Sequence, residues 1–287
     1  MIHYFKSKVI HPLQRYIHDS RSVGITLLVC TAVSLLLANL GFWQEGYRNS
    51  WSATFDGTLN HHFTLGFLSI PNSPTMWIND GLMAIFFFLV GMEIKREMVS
   101  GELASIQKSL LPVFAAIGGM LVPAILFSLF NKGTDGMKGW AVPTATDIAF
   151  TLGVASLLGK RVPVGLKIFL TALAIIDDLG AIIIIALFYG GKLNVLYLLG
   201  CLVIVGIIWF LNRQGKKFGL LHWALGIGLW YCMFNSGIHA TVAGVLFALL
   251  VPTTALAKFE LRLHTPVYFI IMPIFALANT AIALPEN

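Results

Sequence analysis

The sequence predicts an all-α polytopic membrane protein, a helix bundle in which one helix near the bilayer midplane is interrupted at a proline. Three observations carry this. Hydrophobic residues make up 57% of the chain and charged residues 11%, with a mean hydropathy of +0.82, whereas soluble domains carry about 25% charged residues. Apolar runs of near bilayer-spanning length recur along the whole chain. Three acids, Asp147, Asp177 and Asp178, nevertheless sit inside such runs. Burying three isolated charges at bilayer depth costs about 7 to 10 kcal/mol before compensation, so a use for them is expected.

Nine spans are predicted, at roughly 23–42, 77–94, 108–130, 140–158, 164–189, 194–212, 217–234, 237–252 and 265–284, within a single transmembrane domain over 1–287. The first follows Arg21, is long for a signal-peptide core and lacks a small-x-small cleavage pattern, so it reads as a retained helix. Loop charges orient the bundle. In the alternating map Lys6, Lys8, Arg15, Arg21, Lys95, Arg96, Lys108, Lys160, Arg161, Lys167, Arg213, Lys216, Lys217, Lys258 and Arg262 share one side, and only Arg48, Lys132, Lys138 and Lys192 lie on the other. The positive-inside rule then places the N-terminus in the cytoplasm.

Trp43, Trp77 and Trp140 fall at predicted span ends, as an aromatic belt requires, and Trp51 lies in the external loop 44–76. Within that loop 64–70, bounded by Pro71-Asn72, reads as a short surface hairpin. The net charge of +6 is spread over short loops rather than gathered on one face, which excludes a nucleic-acid footprint. Cys30, Cys201 and Cys232 lie in apolar runs without CxxC spacing and read as small buried hydrophobes. Gly118-Gly119 and the Gly226/Gly228 pair suit close helix approach.

The chemistry concentrates in the fourth and fifth spans. In Ala141-Val142-Pro143-Thr144-Ala145-Thr146-Asp147 a residue without an N–H precedes two hydroxyls and an acid, a sequence suited to an interrupted helix facing water. Freed carbonyls, Thr146 and Asp147 would offer only oxygens, which suit hard cations, and a proline-broken segment at mid-depth points to a transporter's ion site. A proline kink whose threonines bond back to i−4 carbonyls is the alternative here.

Asp177 and Asp178 are neighbours, so on a helix they diverge by about 100° and can flank one cavity. At a separation of about 6 Å and an effective dielectric near 20, two ionised carboxylates repel by roughly 2 to 3 kcal/mol. Either a proton or a cation relieves that repulsion, so the two compete for the same oxygens, the simplest mechanism of exchange. A structural pair bonded to a helix N-terminus or a buried lysine is the alternative, with Asp177 as its structural member.

Trp77-Ile78-Asn79-Asp80-Gly81, Leu89-Val90-Gly91-Met92-Glu93-Ile94-Lys95-Arg96-Glu97, Ala145-Thr146-Asp147-Ile148-Ala149-Phe150, Leu173-Ala174-Ile175-Ile176-Asp177-Asp178-Leu179-Gly180-Ala181 and Ser236-Gly237-Ile238-His239-Ala240-Thr241 together resemble the NhaA family of bacterial sodium/proton antiporters, from about residue 20 to the end. That family is a known case of inverted-topology repeats, so the broken-helix reading is part of the resemblance and not independent of it.

The resemblance implies that Asp177 and Asp178 are the essential carboxylates, with Asp178 the ligand of the cation, and that Thr146 and Asp147 shape the site. Asp80 matches an acid near the opposite end of the second helix. The exchange would be electrogenic, more than one H+ entering per Na+ or Li+ expelled, with no cofactor and no enzymatic reaction. Glu93, Arg96, Glu97 and Glu260 match a cytoplasmic funnel of ionisable groups tied to pH activation, and His239 a histidine that affects the pH response. Spacing alone reads Glu93, Lys95, Arg96 and Glu97 as a solvated helix end with local ion pairs, and His239 as hydrogen-bonded packing beside Gly237. The resemblance further implies a multi-pass protein of the bacterial inner membrane that regulates intracellular pH and Na+, and a homodimer contact through the 64–70 hairpin. The family has twelve helices, whereas this sequence stops after its ninth span with no Lys or Arg beyond Arg262, which leaves the inverted repeat incomplete.

Two readings from other classes are weighed. A non-transporting membrane fragment is the first alternative, its acids relics of the antiporter. An intramembrane aspartic protease is the second, but it needs acids on different helices with a GxGD motif, which Asp178-Leu179-Gly180 is not.

Overall fold

A computed structural model describes residues 20–58, 60–66, 68–144 and 161–284. These residues are mostly helical, as lipid demands, since backbone N–H and C=O groups in hydrocarbon must be satisfied within the segment. In chain order the elements are α1 (Ser20–Asn39), α2 (Gln44–Ser52), β1 (His62–Leu65), β2 (Leu68–Pro71), α3 (Pro74–Ser100), α4 (Ile106–Phe130), α5 (Val164–Phe188), α6 (Val195–Arg213), α7 (Leu220–Phe234), α8 (Thr241–Leu250) and α9 (Thr253–Asn279). Among the described residues α1, α3, α4, α5, α6 and α9 are long and apolar enough to cross a membrane, and α7 and α8 are shorter apolar helices. The protein is thus a multi-pass, all-α membrane protein.

Local signals set several boundaries. Ser73 caps α3, its side chain accepting from the Met76 N–H at 3.2 Å, and Pro74 fills the first turn, where no N–H is needed. Asn194 caps α6 in the same way through the Leu196 N–H, and Arg213 in its last turn faces the negative end of the helix dipole. Pro112 and Pro123 lie inside α4 without ending it.

Two helices contain π turns that the residue pattern does not announce. Trp77–Leu82 widens α3, and Val267–Ile271 widens α9 immediately after Pro266. The missing N–H of Pro266 gives a cause for the second, because the ladder must be re-registered around it. The last helix also begins at Thr253, well before the expected 265. Lys258, Glu260 and Arg262 hide this stretch from a hydropathy scan, but Leu256, Glu260 and Val267 are buried along one face of the helix. The polar helix α2 is a further departure from the expected loop. It is held by Tyr47, whose hydroxyl donates to Ser34 Oγ at 3.0 Å and lies 3.1 Å from the Leu277 carbonyl.

The chain forms two compact units, Met1–Met92 with Lys192–Asn287, and Glu93–Gly191. In the first, β1 and β2 pair antiparallel from His62↔Pro71 to Leu65↔Leu68, turning through Gly66 at φ +64°, a conformation glycine adopts without strain. The hairpin is docked by α7. The Ser69 N–H donates to the Tyr231 hydroxyl at 3.2 Å, and the Asn235 amide donates to the Ser69 carbonyl at 3.3 Å. Behind it the fully buried Asn72 gathers the loop, its amide donating to Asp56 Oδ1 at 2.7 Å and the Asn60 carbonyl at 2.9 Å.

The core of this unit packs Phe88, Leu89 and Met92 of α3 against Leu229, Phe247 and Val267. Glycines let the helices meet at backbone distance. A Cβ on Gly244 would strike the Ala84 carbonyl, and one on Gly91 would lie 2.8 Å from the Ala248 Cβ. An apolar cavity of about 640 Å³ is walled by Trp77, Phe88, Trp223, Trp230, Phe247 and Leu263. In the second unit α4 packs on α5, with Ala116, Ala124, Ala172 and Ala174 buried. Gly118 and Gly119, expected to mediate close approach, are different: a Cβ on either would meet no described neighbour within 4 Å, whereas one on Gly226 would meet the Phe247 ring at 2.8 Å.

Candidate functional site

The acid pair sits on α5, a helix of 25 residues that carries no break at the acids. Its neighbours Ala174, Ile175 and Ile182 are buried, so the helix presents a packed stripe into which Asp177 falls, at 3% exposure. Asp178, one step around the helix, is half-buried. The 100° rotation between neighbours thus puts one carboxylate in the packed face and the other toward its rim. Gly180 keeps α4 close at this level, since a Cβ there would lie 2.5 Å from the Met120 sulfur.

The C-terminal end of α5 is tied to the segment leading to Pro143. The Tyr189 hydroxyl donates to the Lys138 carbonyl at 2.9 Å and accepts from the Ala141 N–H at 3.3 Å, while Trp140 meets Phe188 edge-on at 5.3 Å. Val142–Thr144 forms a single 3₁₀ turn in which the buried Thr144 hydroxyl bonds back to the Ala141 carbonyl at 2.7 Å. Thr146 and Asp147, and with them the predicted midplane interruption, lie outside the described residues. Among the described residues the expected oxygen set is therefore represented by Asp177 and Asp178.

The groups assigned to a pH response are distributed over both units. Glu93, Arg96 and Glu97 occupy the last turns of α3, in the second unit, where Arg96 Nη2 stands 3.7 Å from Glu97 Oε1. Their side chains are 48% and 19% exposed, so this contact adds little stability. Glu260 is buried on α9 and His239 half-buried in the turn before α8, both in the first unit. Gly237, two residues earlier, has φ +88° and lies against the Lys192 carbonyl, a position closed to any side chain.

Asp80 is placed more specifically than its sequence context suggests. It is buried in the π turn of α3, where its backbone carbonyl accepts from Trp230 Nε1 at 2.6 Å, and its carboxylate Oδ2 stands 3.5 Å from His61 Nε2. Asn79 beside it exchanges amide bonds with Asn279 at 3.1 and 2.8 Å. Sequence reasoning does not single out His61. The one signal that could have found it is the His61-His62 doublet, in a loop that also carries Glu45, Arg48 and Asp56.

Outside the spans, among the described residues, Asp56 and His62 have displaced titration. Asp56 is held below the ordinary carboxylate range, first by the Asn72 amide and then by the Thr58 N–H. His62 is pushed below the ordinary imidazole range by burial, with a smaller contribution from His61. Its ring meets Phe234 at 4.7 Å, tilted by 56°, and its Nδ1 lies 3.0 Å from Ser69 Oγ.

Residues 14–287 match the family described as Na+/H+ antiporter 1. Among curated proteins the chain is 45% identical to Na(+)/H(+) antiporter NhaA 1 of Clostridium beijerinckii, over 98% of this chain and 71% of that protein. It is 48% identical to Na(+)/H(+) antiporter NhaA 2 of Flavobacterium johnsoniae, over 95% of this chain and 67% of that protein. With Na(+)/H(+) antiporter NhaA of Dechloromonas aromatica the identity is 44%, over 97% and 70%. A family match over nearly the whole sequence, together with relatives this similar, shows that the chain belongs to the Na+/H+ antiporter 1 family.

Proposed function

We propose that this protein is a secondary transporter that exchanges sodium for protons across the membrane, and that Asp177 and Asp178 carry both ions. The family match and the names of its relatives support antiport over a non-transporting scaffold. The observation that carries the site assignment is the adjacency of two acids on an unbroken membrane helix, one buried and one half-buried.

The energetics of exchange follow from that adjacency. Ionising both carboxylates without a counterion costs roughly 2 to 3 kcal/mol in mutual repulsion at an effective dielectric near 20. A proton on one of them, or a sodium or lithium ion shared between them, removes that cost. Binding of one ion thereby expels the other, which is the requirement for obligatory exchange. Asp178, nearer the rim, is the principal cation ligand; Asp177 supports it; Thr146 and Asp147 complete the oxygen set from the preceding span. More than one proton moves per cation, so transport is electrogenic.

Glu93, Arg96, Glu97, Glu260 and His239 set the pH response. The chain works as a single transmembrane domain of nine spans, its fourth interrupted at Pro143. It resides in the bacterial inner membrane with its N-terminus in the cytoplasm, where it regulates intracellular pH and Na+, and pairs into a homodimer through the hairpin. Its partners are Na+, Li+, H+ and the bilayer, and it needs no cofactor, resident metal or nucleic acid.

The test is proton flux in inside-out vesicles with an acid-loaded lumen, followed by a pH-sensitive dye after sodium is added. The native chain should dequench the dye, and Asp178→Asn should reduce the signal at least tenfold. Asp147→Asn should impair coupling less. Flux that survives Asp178→Asn removes that residue from the ion site, and equal loss in both variants overturns the ranking of the acids.

A further inference from the structure

A second titratable pair exists in the first unit, apart from the α5 acids. His61 precedes β1, and its side chain is 53% exposed; Asp80 is buried in the π turn of α3, its side chain 10% exposed. A distance of 3.5 Å separates His61 Nε2 from Asp80 Oδ2, close enough for a charge-assisted contact once the imidazole carries a proton. The two residues come from different elements, so whatever strengthens the contact fastens the base of the hairpin to α3.

The surroundings prepare this contact. The His61 ring lies 5.6 Å from Phe234 at an interplanar angle of 33°, which supports one face and leaves its nitrogen edge toward Asp80. Trp230 holds the Asp80 carbonyl, and its own ring is stacked on Trp77 at 5.8 Å and on Phe234 at 5.9 Å. The titratable groups acting on Asp80 among the described residues are His61 from the hairpin stem and His239 from the turn before α8. The group facing His61 on its own segment is His62, at 5.5 Å.

We propose that His61 and Asp80 form a proton-operated latch between the hairpin and α3. With the imidazole protonated and the carboxylate ionised, the latch is closed and the stem of β1 is pinned to the π turn. With the imidazole neutral that ionic attraction is gone, and among the described residues the stem relies on the bonds of Ser69 and Asn72 and on the aromatic contacts. The latch thus closes as acidification places a proton on the imidazole, and it opens toward alkaline medium. His62 works against it, because burial disfavours its protonated form and the same acidification strains its place on Phe234.

The experiment is amide hydrogen exchange on the full chain in lipid nanodiscs, from about pH 8 to about pH 5.5, the range in which imidazoles titrate. It is read at the hairpin amides, corrected for intrinsic exchange, in a His62→Gln background that removes the opposing histidine. Protection should rise about three- to tenfold on acidification. His61→Gln should remove the rise, and His61→Lys, permanently charged, should give high protection across the range. Because His61 is half-exposed, these substitutions spare the fold; Asp80→Asn is the complementary variant and should also flatten the profile. Protection that does not change with pH in the His62→Gln chain, a rise that persists in His61→Gln, or a His61→Lys profile equal to that of His61→Gln would each overturn the latch.

Discussion

The two units handle their helix contacts differently. In the unit of residues 1–92 and 192–287, glycines bring backbones together: Gly244 sits on the Ala84 carbonyl, Gly91 on Ala248 and Val245, and Gly226 on the Phe247 ring. In the unit of residues 93–191, among the described residues, Gly180 meets the flexible end of Met120, and a Cβ on Gly118 or Gly119 would have no neighbour within 4 Å. Lipid explains why both solutions are stable. An apolar face turned to acyl chains costs nothing, so helices gain by association only where packing or polar bonds reward it. The first unit has gained a fixed frame, and the second keeps its acid pair beside a side chain that can move.

The sharpest way to break this comparison is Gly244→Ala. The added methyl meets backbone atoms of α3, which cannot rotate away, so a loss of about 1 to 3 kcal/mol is expected, read as a lower midpoint in thermal unfolding in detergent. An unchanged midpoint would mean that α8 can shift and that the frame is not rigid. Next in size is Asn72→Ala. It removes the buried donor that ties Asp56 and the Asn60 carbonyl together; both acceptors are exposed and can turn to water, so the effect is local and loop amides should lose hydrogen-exchange protection.

The same loop has a defined acid response. Asp56 titrates lower in the folded than in the unfolded chain, so its contribution is complete above the ordinary carboxylate value and disappears as the pH falls through the depressed one. Protection of the loop should therefore survive mild acid and decline only in strong acid, and Asn72→Ala should move the decline to higher pH. Smaller again is Gly180→Ala. Met120 can swing aside, so a change within about 1 kcal/mol is expected; a large fall in stability would show α4 and α5 to be as tightly locked as the helices of the other unit. Last comes Gly118→Ala, which should be neutral or stabilise α4 by about 0.5 to 1 kcal/mol through helix propensity alone.

Much of the architecture was legible because lipid allows few solutions. Long apolar runs can only be helices, so α1, α3, α4, α5 and α6 follow from hydropathy, and the placement of Asp177 and Asp178 on one helix follows from the run around them. What escaped was set by contacts between distant residues. The early start of α9 is masked by Lys258, Glu260 and Arg262, although Leu256 and Val267 continue its buried face. The small α2 carries no apolar stripe and depends on Tyr47 reaching Leu277. His61 and Asp80 meet only because Tyr231 and Asn235 dock the hairpin, an arrangement no local pattern encodes. The glycine doublet at 118 and 119 meets no described neighbour, and small residues are as compatible with a bundle interior as with a surface left to acyl chains.

The widened turn at Trp77–Leu82 has an evolutionary consequence. Relative to an α-helix it amounts to one inserted residue, so deletion of a single codon there could restore a regular ladder. Because the extra residue is absorbed within the wide turn, its removal would leave the helical residues on either side of it in nearly the same alignment, with Ser73 and the hairpin still beside Tyr231. What the chain would lose is the wide turn in which the Asp80 carbonyl accepts from Trp230 Nε1. Length variation at this one position is therefore a route by which relatives could gain or shed that contact while the loop above it stays in place.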